Sequence, residues 1–430
     1  MGLIESLKSI GIRTADALNR LNDPFQPFNR PALPKEQKAL HQLEAEFYQD
    51  LVGNFWACDG QVLLHRIPLP VGSPLDLGDQ AIWHGVYTAM LAVRWNVLDA
   101  GSSEMPGPEL QDSGFSDLVN AVKGLQLHQT IHGEAKPRLI RGVSDDLKTW
   151  QDDASNDSAT GHLLGIYVAW KYGPSTLRPV LQTLAAGLAC ELLNRHCALV
   201  DAVGNPTTYG ALEQGWKSDP LRITLALAIY AVGATLCRIP EFAKAYSDLF
   251  EKYKPILAYP KVKLWWVENH NDTHRAAIHL AILADLTTGD ARDLYVMGLE
   301  RIRAMVSKLG NIWVSALCAW GRGLQWRDDR DLALKVLSEF TLADKQYNPG
   351  RDNTNYSASW FKPILWNGVY MANQPLPRWI ARSQDFFWQR NLRSLDPGSH
   401  GAPADSRLNG GDFLAAYWLS RLMGILSADD

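Results

Sequence analysis

The chain has 430 residues, 46% hydrophobic and 20% charged, with a formal net charge of -4. That balance is globular, and at this length either two domains or one closed single-domain architecture is accommodated. There is no Lys/Arg block, which excludes the electrostatic footprint of a nucleic-acid binder, and no apolar run reaches the ~20 uninterrupted residues of a membrane span.

The five cysteines (Cys58, Cys190, Cys197, Cys237 and Cys318) are odd in number and lack CxxC spacing, which argues against a disulfide framework or zinc ribbon. Cys190, Cys197, Cys237 and Cys318 stand in apolar stretches and read as buried thiols, suiting a reducing compartment. The opening MGLIESLKSIGIRTADALNRL has no long apolar core, so no secretory signal is read and the expected location is cytoplasmic. A phage-borne or virion-associated product, released by lysis, is the alternative.

In chain order, residues 1–34 read as an N-terminal extension, because NDPFQPFNRPALP carries four prolines and cannot continue a helix. KEQKALHQLEAEFYQDLVGNFW then predicts an amphipathic helix, with Leu40, Leu43, Phe47, Leu51 and Phe55 three and four apart. A Pro/Gly/Asp loop leads to an apolar helix after Asp79. The same two-part unit returns along the chain. SDLVNAVKGLQLHQTI precedes an apolar helix over 159–172, STLRPVLQTLAAGLACELLNRHC one over 221–236, and EFAKAYSDLFEKY one over 272–287. ARDLYVMGLERIRAMVSKL precedes IWVSALCAWG, DLALKVLSEF precedes a helix over SASWFKPILWNGVYMA, and RWIARSQDFFWQRNL precedes a final helix from Asp412.

The first member of each pair is amphipathic and the second apolar nearly all round, as for helices facing solvent and helices buried on both sides. Short links imply antiparallel neighbours. The expectation is an all-α fold, an (α/α) toroid of six to seven helical hairpins with few short strands, forming a single domain over 35–430. In such a ring the inner helices run the same way. Their N-termini share one mouth, with unpaired N–H groups and positive dipole ends.

Acids recur in the loops before these inner helices: Asp79, Asp157, Asp219, Asp272 and Asp412. Three segments carry the candidate chemistry. In LGDQAIWHGVYTA, Asp79 stands at a helix start with Trp83 and His84 on the first turns; a plain N-cap is the alternative, worth ~1 kcal/mol. DDLKTWQDDASNDSATGHLLG puts Asp145, Asp146, Asp152, Asp153 and Asp157 within thirteen residues, beside Trp150. Acids so close require partners or raised pKa values, and a raised carboxyl pKa is what a general acid needs. A solvated acidic loop is the competing reading.

In WWVENHNDTHRAAIH, Trp265 and Trp266 stand before Glu268, Asn269, His270, Asp272 and His274. The His270/His274 pair lacks the HExxH arrangement of zinc, so no metal and no cofactor is expected. An Asn/His pair suits β-elimination of a uronate, and a capping network with a core His274 is the structural alternative. Tyr356 and Trp360 in RDNTNYSASW, and Arg407 in ADSRLNGGD, precede inner helices and would reach the same mouth. Sixteen tryptophans, many beside loops, offer flat rings to the C–H faces of pyranoses.

DQAIWHGVYTA resembles the helix opening of unsaturated uronyl hydrolases, and VENHND resembles the Glu-Asn-His or Asn-Asn-His helix openings of α/α-toroid polysaccharide lyases. The chain thus resembles the six-hairpin glycosidase superfamily and its glycan-active toroid relatives, which implies a fold over nearly the whole chain and a glycan substrate. A fold hosts many functions, so the resemblance implies the class rather than the reaction.

The leading expectation is a glycoside hydrolase whose carboxylate pair comes from Asp79, Asp153, Asp157 and Glu268. Trp83, Trp150, Trp265 and Trp266 would serve as sugar platforms, with His84, His274, Tyr356, Trp360 and Arg407 as further substrate contacts. The alternatives are a uronate lyase using Asn269 and His270, a sugar epimerase with paired histidines, and a non-catalytic glycan-binding or structural component such as a phage virion protein. The expected partner is an oligo- or polysaccharide, with no nucleic acid or membrane; homo-oligomer or larger assembly is left open.

Overall fold

The computed structural model describes residues 38–68, 75, 77–100, 108–134, 137–213, 220–259, 271–306, 309–324, 329–342, 364–366, 369–371, 386, 388 and 406–430. Twelve α-helices lie among them, and they alternate in character along the chain. The amphipathic set is α1 (Leu40–Asn54), α3 (Pro108–Thr130), α5 (Arg178–Asn194), α7 (Pro240–Leu257), α9 (Gly289–Val306) and α11 (Arg330–Leu337). The apolar set is α2 (Gln80–Ala100), α4 (Asn156–Tyr172), α6 (Pro220–Cys237), α8 (Asn271–Leu286), α10 (Ile312–Arg322) and α12 (Gly411–Leu422).

Burial follows the patterning. In α7 only one stripe is buried, namely Phe242, Leu249, Phe250, Tyr253, Ile256 and Leu257, whereas α8 is buried without a break from Asp272 to Ala284. The apolar helices pack on one another in a circuit. α2 meets α4, α4 meets α6 and α8, α6 meets α8, α8 meets α10, α10 meets α12, and α12 returns to α2. The amphipathic helices lie against them: α1 on α12, α3 on α2 and α4, α5 and α7 on α6, and α9 on α8 and α10. α6 alone among the described helices is long and apolar enough to cross a membrane, and 78% of that window is buried inside the molecule.

The tightest crossing, α2 on α4, depends on glycine. A Cβ on Gly85 would sit 2.0 Å from the Gly161 carbonyl oxygen, and one on Gly161 would sit 2.1 Å from the Ile82 carbonyl oxygen. Backbone therefore lies on backbone at this crossing, and any side chain would push the helices apart.

Among the described residues, ten short strands make five two-stranded antiparallel sheets. β1 (Trp56–Ala57) pairs with β2 (Val62–Leu63), and β4 (Gly142–Val143) with β5 (Trp150–Gln151). β6 (Ala198–Val200) pairs with β7 (Pro206–Ala211), and β8 (Ile364–Trp366) with β9 (Val369–Met371). β3 (Arg66–Pro68) pairs with β10 (Ser406–Leu408), with Arg407 opposite Ile67, so the approach to the last helix is tied to the approach to α2.

One expected helix is corrected. The apolar helix over 357–372 is replaced at 364–366 and 369–371 by the antiparallel β8/β9 pair, in register Trp366 to Val369. Asn367 and Gly368 stand between the strands, and Asn-Gly is the strongest short hairpin signal; Pro363 before it disfavours a continuing helix. Residues 357–363 and 372, and all of the expected helix over 378–392 except Phe386 and Trp388, lie outside the described residues. The helix-start acids are also shifted by a residue or two. Asp157, Asp272 and Asp412 sit in the first turns of α4, α8 and α12, not in the loops before them. All five cysteines are free thiols; Cys190 and Cys237, expected buried, are half-buried, and Cys58, Cys197 and Cys318 are buried.

Candidate functional site

Side-chain contacts bring the N-terminal ends of several apolar helices together. Arg275, in the first turn of α8, binds Asp157 and Asn156 of the first turn of α4, the latter at 2.6 Å, as well as Asp272 of its own helix. His279 of α8 contacts Thr160 Oγ1 of α4 at 2.7 Å and Thr224 Oγ1 of α6 at 3.2 Å. Trp313 of α10 donates to His274 of α8 at 2.8 Å. Asn311, which caps α10 through Val314 N–H, also donates to the Trp388 carbonyl, and the Trp388 indole donates to the Asp412 carbonyl on α12. Unpaired helix N–H groups and dipole ends therefore gather where the acids are.

Arg141 joins the start of α2 to the loop before α4. Its guanidinium lies 3.6 Å from Asp79 and 3.8 Å from Asp153 and also binds the Gly78 carbonyl. Its backbone carbonyl takes Ala81 N–H of α2, and its N–H donates to the Gln151 carbonyl at 2.8 Å. Gln151 follows Trp150 on β5, so the exposed Trp150 ring belongs to the hairpin beside this arginine. The side chains of Asp79 and Asp153 are 55% and 40% exposed, against 26% for Asp157, so of these three the first two are the more open to water.

Each of the five clustered acids has a hydrogen-bond or ion-pair partner. Asp145 accepts Cys58 N–H at 2.7 Å. Asp146 accepts the Ser144 hydroxyl and Lys148 N–H, and the hydroxyl bond holds its carboxyl below the usual range. Asp152 pairs with Arg138 and accepts Ala202 N–H; Asp153 accepts Thr208 N–H beside Arg141; Asp157 pairs with Arg275. The α4 cap itself is Ser155, whose side chain accepts Ser158 N–H in a capping box, which leaves the neighbouring carboxylates free of that duty.

Four expected substrate contacts are buried or already paired. His84 is fully buried, accepting Leu63 N–H on Nδ1 at 3.0 Å and donating from Nε2 to the Ala121 carbonyl at 2.8 Å, so it has no atom left for a sugar. Burial, then the neighbouring His128, pushes its pKa down to about 3. Trp83 is buried and covered by Phe386, not an open platform. Arg407 binds Asp50 of α1 and lies over the Phe55 ring, so its charge is already matched. His274 is buried among aromatic rings. Glu268, Asn269, His270, Trp265, Trp266, Tyr356 and Trp360 lie outside the described residues.

The arginines were missed by the sequence reading. Arg275 had a legible signal, a charged residue three after Asp272 on an otherwise apolar helix, which puts both on one face. Arg141 had none, because its partners are 62 and 12 residues away. No protein-family model matches the chain, and no curated protein matches it.

Proposed function

We propose that this chain is a glycan-degrading glycoside hydrolase, working at the mouth of a closed (α/α) toroid formed by the circuit of apolar helices. The observation that carries the reading is the Arg141 junction, where two half-exposed carboxylates from separate elements share one guanidinium beside an exposed tryptophan. Hydrolysis of a glycosidic bond needs one carboxyl to protonate the leaving oxygen and a second, ionised, to activate water or attack the anomeric carbon. Asp79 and Asp153 are the candidate pair, brought together by the Arg141 guanidinium. Asp157, tied to buried Arg275, is suited to holding the site in shape. Trp150 is suited to stacking against a pyranose C–H face.

The test is an incubation with neutral and uronate-rich glycans, read by reducing ends and near-ultraviolet absorbance together. New reducing ends without absorbance are expected, and they should fall at least about a hundred-fold in Asp79→Asn or Asp153→Asn, as for loss of an essential catalytic carboxylate. Absorbance rising in step with reducing ends would replace this reading with the Asn269/His270 lyase. Cleavage unchanged in both variants would remove Asp79 and Asp153 from the chemistry.

A further inference from the structure

The first turns of three apolar helices contribute to one cluster of aromatic rings. His65 and Trp83 are 4.9 Å apart between centroids, and Trp83 stacks on Phe386 at 4.8 Å and 27°. His274 lies 5.4 Å from Phe386, 6.3 Å from Trp83 and 6.0 Å from Trp313. Trp83, His274 and Trp313 come from the first turns of α2, α8 and α10, the helix ends gathered at the candidate site. Every member is buried.

The bonding of His274 fixes its chemistry. An indole N–H can only donate. Trp313 Nε1 donates to His274 Nδ1, so Nδ1 carries the lone pair and a neutral ring holds its proton on Nε2. The two nitrogens point to different sides of the imidazole, so Nε2 faces away from Trp313. The ring is 0% exposed and Nε2 has no hydrogen-bond partner. A buried donor without an acceptor is costly and rare.

We propose that this cage is a subsite for a neutral sugar ring, with His274 Nε2–H donating to a sugar oxygen and Trp83 offering the stacking face that Phe386 now covers. The inference rests on the glycan reading above and narrows it. Among the described residues no cation is left over for a uronate here, since Arg275, on the same turn as His274, is held by Asp157 and Asp272. A carboxylate in the cage would be buried without a counter-ion, a penalty that a hydroxyl with one good hydrogen bond escapes. His274 is therefore a positioning donor, not a base. Occupancy requires the Phe386 ring to move off Trp83.

The experiment uses the full chain labelled with nitrogen-15, titrated with cellohexaose, chitohexaose and hexagalacturonate while the His274 Nε2–H and Trp313 Nε1–H resonances are followed. A neutral hexasaccharide is expected to move both, and hexagalacturonate neither. His274→Phe should weaken neutral-sugar binding by about ten-fold, the usual scale of one hydrogen bond, whereas His274→Gln, which keeps an N–H, should stay within about three-fold. If His274→Phe does not fold, Trp313→Phe is read instead: it frees Nδ1, and the Nε2–H tautomer and sugar binding should weaken together. Binding of a neutral sugar with both resonances unmoved, or equally well to His274→Phe, would overturn the subsite and leave the glycan reading standing. Shifts on hexagalacturonate would overturn the neutral class. Neither binding nor cleavage of any sugar would overturn both.

Discussion

Two arginines at the same end of the apolar helices each stand between two aspartates, and they differ in almost everything else. Arg141 meets Asp79 and Asp153 at 3.6 and 3.8 Å, and both carboxylates are about half open to water. Arg275 is buried, grips Asp157 and Asp272 closely and also takes Asn156. Burial pushes the Arg275 pKa down to about 10, which marks the desolvation that its partners must offset. The contrast separates availability from anchorage. Loosely paired, wetted carboxylates can exchange an arginine for a substrate, whereas a desolvated network fixes the start of one helix against another.

The most severe way to break both junctions is to move the helices that carry them. Gly161→Ala forces a Cβ to 2.1 Å from the Ile82 carbonyl oxygen. It should cost at least ~4 kcal/mol or prevent folding, as read by urea denaturation. A tolerated Gly161→Ala would show that the crossing can open without consequence.

Next in size is the contrast itself. Arg275→Met leaves two carboxylates without their cation in a buried setting and should cost ~3–5 kcal/mol. Arg141→Met removes a partly wetted pair and should cost under ~1 kcal/mol of stability while changing activity. Equal losses in the two variants would erase the distinction.

Acid sharpens the comparison through the histidines around the two junctions. Burial pushes His84, His128 and His274 down to about 3, 4 and 3, and His162 and His279 well below their usual value. In the window below 6.5 the unfolded chain binds more protons than the folded one. Stability is therefore complete above about pH 6.5 and declines as pH falls, by up to ~1.4 kcal/mol per histidine per pH unit. Unfolding free energy should thus be lower at about pH 5 than at about pH 7.5; equal values would mean that these rings are not held neutral.

Much of the helical plan was legible. Two kinds of period, a stripe and an all-round apolar run, alternate along the chain, and they mark helices buried on one side and on both. The segment over 357–372 was misread because its apolar content outweighed the Asn-Gly pair within it. The acids were legible as well, but their division of labour was not. Asp79, Asp153 and Asp157 look alike in sequence, and Asp157 is set apart by an arginine 118 residues away. Trp83 reads as a platform at a helix start, yet Phe386, remote in sequence, lies on it.

By itself, then, the sequence determined where helices form and which of them are buried, because local period and residue type act over a few turns. Only the tertiary structure decided which carboxylates stay wet, which way His274 holds its proton, and which faces glycine lets touch. Those properties depend on desolvation and on partners brought from distant positions, and no spacing along the chain encodes them.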